Sequence, residues 1–219
     1  MLSRFRSAFE RGVTMTQAGR HWPGSGQVRV SFPFILVLVV VWLSCAATGL
    51  AALWRYALTP GIADHAPASW PPASTLQRDP NRFILLMFAH PDCPCTRASV
   101  GELGQLMAQA GGRVSAWVVF ESPPNTAVAT QHSDLWTSAR VIPRVSVTLD
   151  DGREMRRFGA AVSGQTLIYD THGRLVFSGG ITGARGHWGD NTGLSSALAA
   201  VINPGFRSFR APVFGCALR

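Results

Sequence analysis

The chain has 219 residues, of which 47% are hydrophobic, enough for one globular core of ordinary size beside a non-globular N-terminal part. Its formal net charge is +8, but five arginines and a single glutamate precede Phe32, so half of the positive excess belongs to a short leader. Because the basic residues are not concentrated on the globular part, the composition argues against a nucleic-acid partner.

The first predicted element is an uncharged apolar run of 23 residues, at positions 32–54. At about 1.5 Å per residue, a helix of this length crosses a hydrocarbon core of about 30 Å. A cleaved signal peptide is the alternative, but the run exceeds the usual apolar region of such peptides and no persuasive cleavage site follows. Lipidation of Cys45 is disfavoured because the apolar run continues beyond it. The sequence therefore predicts an uncleaved transmembrane anchor in contact with membrane lipid.

The arginines of residues 1–31 predict the orientation of this anchor, since the flank richer in arginine stays in the cytoplasm. We interpret residues 1–31 as a cytoplasmic basic tail of a single-pass protein of the cytoplasmic (inner) membrane. The rest of the chain should then lie in the periplasm or extracellular space, where disulfides persist. Residues 55–81 are rich in proline and alanine and predict an extended linker. This leaves residues 82–219 as the extracytoplasmic domain.

A pair of cysteines follows the first predicted strand of that domain. Residues 82–89 form an almost continuous apolar run, typical of a strand buried on both faces. The loop HPDCPC comes next, and the residues after it have the apolar spacing of a helix. Cys93 and Cys95 thus lie where unpaired N–H groups and the positive end of the helix dipole favour a thiolate. The alternative is that both thiols are buried apolar fillers.

The remaining pattern alternates between the two kinds of element. It predicts strands at 113–120, 144–149, 165–169 and 174–178, and helices at 126–140, 151–159 and 192–202. This order predicts an α/β fold with a mixed central sheet flanked by helices. The tail after the last helix carries Cys216, so an odd number of cysteines lies beyond the anchor, and one is unpaired, shared or bound to something.

Residues 158–174, FGAAVSGQTLIYDTHGR, resemble the segment FGV-x-G-P-T-x-x-x-I-D-x-x-G-R of the thioredoxin-fold superfamily. With the cysteine loop, the resemblance to membrane-anchored thioredoxin-like proteins covers about residues 82–202. Within that superfamily, the motifs HPDCPCTRAS, ARGHWGDNTG and FGCAL are similar to those of the RedB-like proteins. The resemblance implies a thioredoxin-like fold and thiol–disulfide exchange with a protein or small-molecule thiol, without a cofactor.

The chain departs from the superfamily pattern at two places. The usual C-x-x-C is replaced by Cys93-Pro94-Cys95, and alignment on Cys95 leaves Asp92 where the first cysteine would stand. Gln165, followed by Thr166, occupies the position of the proline that faces the cysteine pair. Both departures alter the groove in which a substrate disulfide would lie.

The residues around the loop suggest how the exchange would proceed. We expect Cys93 and Cys95 to be the reactive pair and Cys216 an auxiliary thiol that exchanges with one of them. A disulfide across Cys-Pro-Cys would close a small ring and be easy to reduce. Arg97 would favour a thiolate and His90 could accept or deliver the proton. The alternative is that these two residues are a solvated helix charge and an ordinary loop residue.

The glycine-rich stretch GGITGARGHWGDNTG, residues 179–193, precedes the last predicted helix. The resemblance implies that Arg185 and His187 in this stretch lie near the cysteine pair, and the alternative is a flexible surface loop. A different class of function is also open. Cys93, Cys95, Cys216 and His187, with His90, form a soft sulfur and nitrogen set suited to copper(I) or zinc, which would make the protein a metal-binding or metal-delivery protein.

Overall fold

The structure is a computed structural model that describes residues 31–63, 65–189, 192–203 and 209–218. The predicted cytoplasmic tail, residues 1–31, lies outside this part of the chain except for Ser31. The chain divides into two compact units between Ala47 and Thr48.

The first helix, α1, spans Phe32–Leu58 and continues four residues past the predicted end of the apolar run. Its apolar side chains are exposed. Among the described residues it is the one helix long and apolar enough to cross a membrane. This helix agrees with the predicted single N-terminal anchor. The identity of the membrane and the orientation of the anchor in it stay predictions.

Strands and helices alternate in the second unit much as predicted. They are β1 (Phe83–Ala89), α2 (Pro94–Gln109), β2 (Val114–Glu121), α3 (Ala127–Gln131), α4 (Asp134–Arg140), β3 (Val145–Asp150), α5 (Arg153–Arg157), β4 (Thr166–Tyr169), β5 (Leu175–Gly179), α6 (Thr192–Ile202) and β6 (Phe209–Arg210).

The six strands form one sheet in the order β3-β2-β1-β4-β5-β6. Strands β1, β2 and β3 are parallel, β4 is antiparallel to both of its neighbours, and β6 pairs parallel to β5. The predicted mixed sheet with flanking helices is confirmed, and the arrangement is thioredoxin-like. The sequence did not reveal β6, which is only two residues long.

The single helix predicted at 126–140 is wrong in one respect, because it is two short helices. Ser133 separates them and caps α4, its hydroxyl accepting a hydrogen bond from the Trp136 N–H at 3.2 Å. As a result Val128, on the short helix α3, is 69% exposed. Leu135 is buried, on the face of α4 that packs on the sheet.

Alternate side chains of β1 point to opposite faces of the sheet, and each face has its own core. Leu85 and Met87 pack with buried residues of α2, α4 and α6 on one side. Ile84, Leu86 and Phe88 face a second cluster, to which α5 and the chain before β1 contribute. The sheet is therefore covered on both faces, but only one of them by long helices.

Part of the predicted linker, residues 55–81, packs on the domain instead of forming a separate spacer. The Trp70 ring lies 5.0 Å from the Phe158 ring and 5.4 Å from the Tyr169 ring, edge-on to both. The Trp70 N–H donates to the Gly173 carbonyl at 2.8 Å, and Leu76 is buried in the second core. The five prolines of residues 55–81 do not prevent Trp70 and Leu76 from covering the second face of the sheet.

Candidate functional site

The thiol of Cys93 lies where β1 gives way to α2. Cys93 is the N-cap residue of α2, with extended backbone angles, and Pro94 opens the first turn. A proline is well tolerated there because the first N–H groups of a helix have no intrahelical partner. Cys93 is 1% exposed. The remaining free N–H groups of the turn and the helix dipole thus face a buried sulfur, which favours its ionised form.

The C-terminal tail brings the last cysteine directly to Cys93. Residues 216–218 run antiparallel to residues 161–163, with the Ser163 N–H donating to the Cys216 carbonyl at 2.8 Å. The Leu218 N–H donates to the Ala161 carbonyl at 2.9 Å. In this position the Cys216 sulfur lies 2.8 Å from the Cys93 sulfur. The thiol expected to be auxiliary is therefore a direct neighbour of Cys93.

A glycine before Cys216 permits this approach. A Cβ atom at Gly215 would lie 1.8 Å from the Ser163 carbonyl oxygen, far inside any normal contact. A Cβ atom and a backbone oxygen do not move when a side chain rotates, so no change of rotamer could relieve this overlap. The tail can dock at this distance only because position 215 has no side chain.

The Cys93 thiol is acidified by its surroundings. Burial opposes its ionisation, but hydrogen bonds from the Cys216 thiol, from the Thr96 hydroxyl and from the backbone N–H groups of both residues outweigh burial and lower the pKa of Cys93 from 9.0 to about 7. About half of the Cys93 thiols are then thiolates at neutral pH. This is the ionisation state that an attacking thiol requires.

The other two thiols are held in their neutral forms. Burial, followed by the hydrogen bond to Cys93 and the negative charge of Cys93, raises the pKa of Cys216 to about 12. Burial also raises the pKa of Cys95, as do the charge and hydrogen bond of Cys93, whereas the Arg185 charge opposes the rise. All four cysteines of the chain are free thiols. The predicted pairing of Cys93 with Cys95 thus stays a prediction, and the 2.8 Å between the Cys93 and Cys216 sulfurs offers a second pairing.

Two buried hydroxyl groups that the sequence did not single out connect the cysteine loop to the tail. Thr96 and Ser163 are both buried, and their side-chain oxygens lie 2.6 Å apart. The Ser163 hydroxyl accepts a hydrogen bond from the His90 N–H at 2.8 Å. The backbone N–H of Ser163 also donates to the Cys216 carbonyl. Thr96 follows Cys93 by three positions, one helical turn, a spacing that could have indicated a hydrogen bond to the thiolate.

The predicted proton-transfer residue His90 lies at the end of β1. Its Nδ1 accepts a hydrogen bond from the Asp92 N–H at 3.1 Å, and its Nε2 lies 3.7 Å from a carboxylate oxygen of the buried Glu121. These ring contacts orient the imidazole within the loop. The described ring contacts are to Asp92 and Glu121, so a role of His90 at a cysteine stays a prediction.

Arg97 lies on the first turns of α2, where it was predicted, and pairs with Asp134 at 3.6 Å. Both side chains are more than half exposed, so the ion pair itself contributes little to stability. They line a cleft of about 290 Å³ together with Asp92 and Cys93. An incoming molecule would meet this cleft beside the cysteine loop.

Gln165 and Thr166 support the segment on which the tail docks. The Gln165 side chain donates to the Gly159 carbonyl at 2.9 Å and accepts from the Ala161 N–H at 3.1 Å. The Thr166 hydroxyl donates to the Gly164 carbonyl at 3.2 Å. Both side chains are fully buried. Gln165 therefore braces residues 159–165 from within.

The two predicted residues of the glycine-rich stretch differ in position. Arg185 donates a hydrogen bond to the Gly215 carbonyl, and its charge acts on Cys95 and Cys216. His187 is exposed and lines a cavity of about 390 Å³ with Trp54 and Arg185. Within the described ranges, no group of three or more His, Cys, Asp or Glu side chains is placed to hold a metal ion. The proposed donor set that includes His187 is not assembled there.

No protein-family model and no curated protein sequence matches the chain. Several solved structures are similar to it. An uncharacterized conserved protein from Geobacillus kaustophilus has a TM-score of 0.53 and 16% identity, covering 74% of this chain and 92% of that one. A hypothetical protein from Sinorhizobium meliloti 1021 has a TM-score of 0.50 and 18% identity, covering 73% and 93%. A putative thiol:disulfide interchange protein DsbE from Chlorobium tepidum has a TM-score of 0.39 and 19% identity, covering 66% and 99%.

The chain has a thioredoxin-like fold, as the sheet order and the resemblance in sequence both indicate. Identities below 20% establish a fold and not an activity. Membership of the RedB-like group within that superfamily stays a prediction.

Proposed function

We propose that this chain is a membrane-anchored thiol–disulfide exchange protein in which Cys93 and Cys216 alternate between a dithiol and a disulfide. The observation that carries the proposal is the 2.8 Å separation of the two sulfurs, one of them acidified to a pKa of about 7. Stepwise exchange needs two thiols with unequal pKa values. The more acidic thiol attacks the partner disulfide as a thiolate, and the other keeps its proton until it attacks the mixed disulfide.

In the reducing direction, the Cys93 thiolate attacks one sulfur of a partner disulfide. The Cys93–partner bond forms, the partner's own sulfur–sulfur bond breaks, and the leaving sulfur takes up a proton. Cys216 then loses its proton and attacks the Cys93 sulfur, which releases the second partner thiol and closes the Cys93–Cys216 disulfide. Two electrons pass from the protein to the partner, together with one proton from Cys216 and one from the solvent, and the reverse sequence oxidises a partner dithiol.

The first step prepares the second. While Cys93 is a thiolate, its charge and its hydrogen bond are two of the causes that raise the pKa of Cys216. Both causes disappear when Cys93 enters a mixed disulfide, whereas the nearby Arg185 charge continues to favour ionisation of Cys216. The pKa of Cys216 therefore falls at the moment when Cys216 has to become a nucleophile.

The partner in this proposal is a protein or small-molecule thiol or disulfide that enters by the cleft between the cysteine loop and α4. Cys93 lines this cleft, and Arg97 at its edge offers a positive charge to an approaching anion. Cys95 has its pKa raised and lies beside Cys93. It is the alternative resolving thiol if Cys216 does not serve.

Binding or delivery of copper(I) or zinc is the alternative function. It is favoured by the mutual electrostatic influence of Cys93, Cys95 and Cys216, which brings three soft sulfur donors into one neighbourhood. Against it stands the lack, among the described residues, of a group placed to hold a metal.

The test uses the full chain in detergent, oxidised with glutathione disulfide and analysed by peptide mapping. We expect a Cys93–Cys216 disulfide that survives Cys95→Ala and is lost in Cys216→Ala. A Cys93–Cys95 disulfide in the wild type, with Cys216 still free, would overturn the assignment of Cys216. Thiol titre and metal content are measured on the reduced protein, and stoichiometric copper or zinc that protects the thiols from alkylation would favour the metal-binding function instead.

A further inference from the structure

Arg185 connects the C-terminal end of α1 to the residue that precedes Cys216. Its guanidinium donates to three backbone carbonyls, those of Gly215, of Tyr56 at 3.2 Å and of Thr59 at 3.3 Å. The guanidinium carbon also lies 4.7 Å from the centre of the Tyr56 ring, over its face. The backbone N–H of Arg185 donates to the Ala57 carbonyl at 3.0 Å. One side chain thus holds two distant parts of the chain together.

Hydrogen bonds hold the backbone of the tail on both sides of Cys216. On the C-terminal side of the sulfur, the Ser163 N–H holds the Cys216 carbonyl. On the N-terminal side, Arg185 holds the Gly215 carbonyl, and the Gly61 N–H holds the Val213 carbonyl at 2.8 Å. The Gly180 N–H also holds the Pro212 carbonyl, at 3.2 Å. The position of Cys216 is therefore fixed from both sides, and Arg185 holds the carbonyl that directly precedes it.

We propose that Arg185 is a positioning residue that sets Cys216 against Cys93 by clamping the Gly215 carbonyl to the end of α1. This inference rests on the proposed exchange between Cys93 and Cys216. The clamp requires the planar fork of a guanidinium, because three carbonyls in different directions are served by one group with five donors. A lysine at position 185 keeps the charge but supplies donors from a single nitrogen.

The clamp has a thermodynamic consequence. A tail held in place presents Cys216 to Cys93 at a high effective concentration, and a loosened tail lowers that concentration. The equilibrium constant for closing the Cys93–Cys216 disulfide against glutathione measures this quantity directly. Loss of charge-assisted hydrogen bonds of this kind is expected to lower the constant about tenfold.

The experiment compares Arg185→Ala, Arg185→Lys and the matched control Arg153→Ala in full chains that also carry Cys45→Ala and Cys95→Ala. Arg153 pairs with Asp151 on the surface at α5. We expect the closing constant to fall about tenfold in Arg185→Ala, to fall also in Arg185→Lys, and to be unchanged in Arg153→Ala. Thermal unfolding of each variant identifies any that does not fold, in which case Arg185→Lys decides.

Two results overturn the inference while leaving the exchange proposal intact. One is a closing constant in Arg185→Ala equal to that of the parent. The other is a closing constant in Arg185→Lys equal to that of the parent while the constant of Arg185→Ala is lowered. That result would mean that Arg185 acts through its charge and not through the clamp. If the parent forms no Cys93–Cys216 disulfide at all, the exchange proposal itself has failed, so the two failures are distinguishable.

Discussion

Replacing Cys216 by alanine should raise the pKa of Cys93, because the variant lacks the Cys216 thiol, which donates a hydrogen bond to the Cys93 thiolate. The backbone N–H of residue 216, which also donates to Cys93, stays in the variant. With a pKa of about 7, about half of Cys93 is ionised at pH 7. A full return to the ordinary value of 9.0 would leave about 1% ionised. Thr96 also stabilises the thiolate and remains in the variant, so we expect a rise of about one unit.

The assay is the pH dependence of alkylation by iodoacetamide, followed by mass spectrometry at the peptide that contains Cys93. The rate at a single pH is a poor measure, since intrinsic nucleophilicity increases with pKa and offsets part of the loss of thiolate, by up to about tenfold for two units. Removal of Cys216 also opens access to a buried sulfur. The midpoint of the pH profile is free of both effects.

Cys95→Ala is the matched control for this measurement. The pKa of Cys95 is raised, so this thiol is neutral while Cys93 titrates and contributes no charge. The midpoint in Cys95→Ala should therefore stay near 7. A midpoint that is unchanged in Cys216→Ala, or that moves only in Cys95→Ala, would refute the assignment of the acidifying contact to Cys216.

Further predictions concern the tail, the loop and stability. Gly215→Ala should push the tail away from Ser163 by more than about 1 Å, because the new Cβ would otherwise lie 1.8 Å from the Ser163 carbonyl oxygen. The yield of the Cys93–Cys216 disulfide in peptide mapping should then fall, and an undiminished yield would contradict the docking geometry. Ser163→Ala removes the acceptor of the His90 N–H and should cost about 1–3 kcal/mol in urea unfolding. Trp70→Ala should lower the free energy of unfolding by about 3 kcal/mol if the segment before β1 is part of the domain. A loss below about 0.5 kcal/mol would mean that the segment is a spacer after all. Because folding lowers the pKa of Cys93 from 9.0 to about 7, this thiol binds more protons in the unfolded chain between these pH values, and the free energy of unfolding should rise with pH from about 7 to 9. In Cys93→Ser that rise should be absent from equilibrium unfolding curves.

Local patterns in the sequence were sufficient for the strand, loop and helix around Cys93. The apolar run of β1 and the spacing of α2 follow from short-range periodicity, and the two prolines of the loop mark its limits. The order of strands and helices along the chain then predicted a mixed sheet, and the resemblance of residues 158–174 to a known segment implied the thioredoxin-like fold.

The docking of the tail could not be predicted in the same way. Cys216 is separated from Cys93 by 123 positions, and the residues around it have no periodic pattern that would indicate a strand. Its approach depends on backbone hydrogen bonds to residues 161–163, which many sequences with a glycine at position 215 could make. Gly215 was the available signal, and its meaning becomes visible only beside Ser163.

Composition misled the interpretation of residues 55–81 for a related reason. Proline and alanine are typical of extended spacers, and an average over the segment hides Trp70 and Leu76. These two side chains are the ones that cover the second face of the sheet. A few large apolar residues decide whether such a segment packs, because burial of a single one contributes about 1.5–3 kcal/mol.

The order in which the ribosome makes these parts has a consequence for a chain that is still growing. Cys93 leaves the ribosome well before Cys216, so a nascent or prematurely terminated polypeptide carries the first thiol without the second. Lacking the hydrogen bonds that the tail supplies, that thiol is less ionised at neutral pH and less prone to capture by stray oxidants. The thiol at position 93 thus acquires its reactivity only after residues 215–218 have been made and have docked beside it.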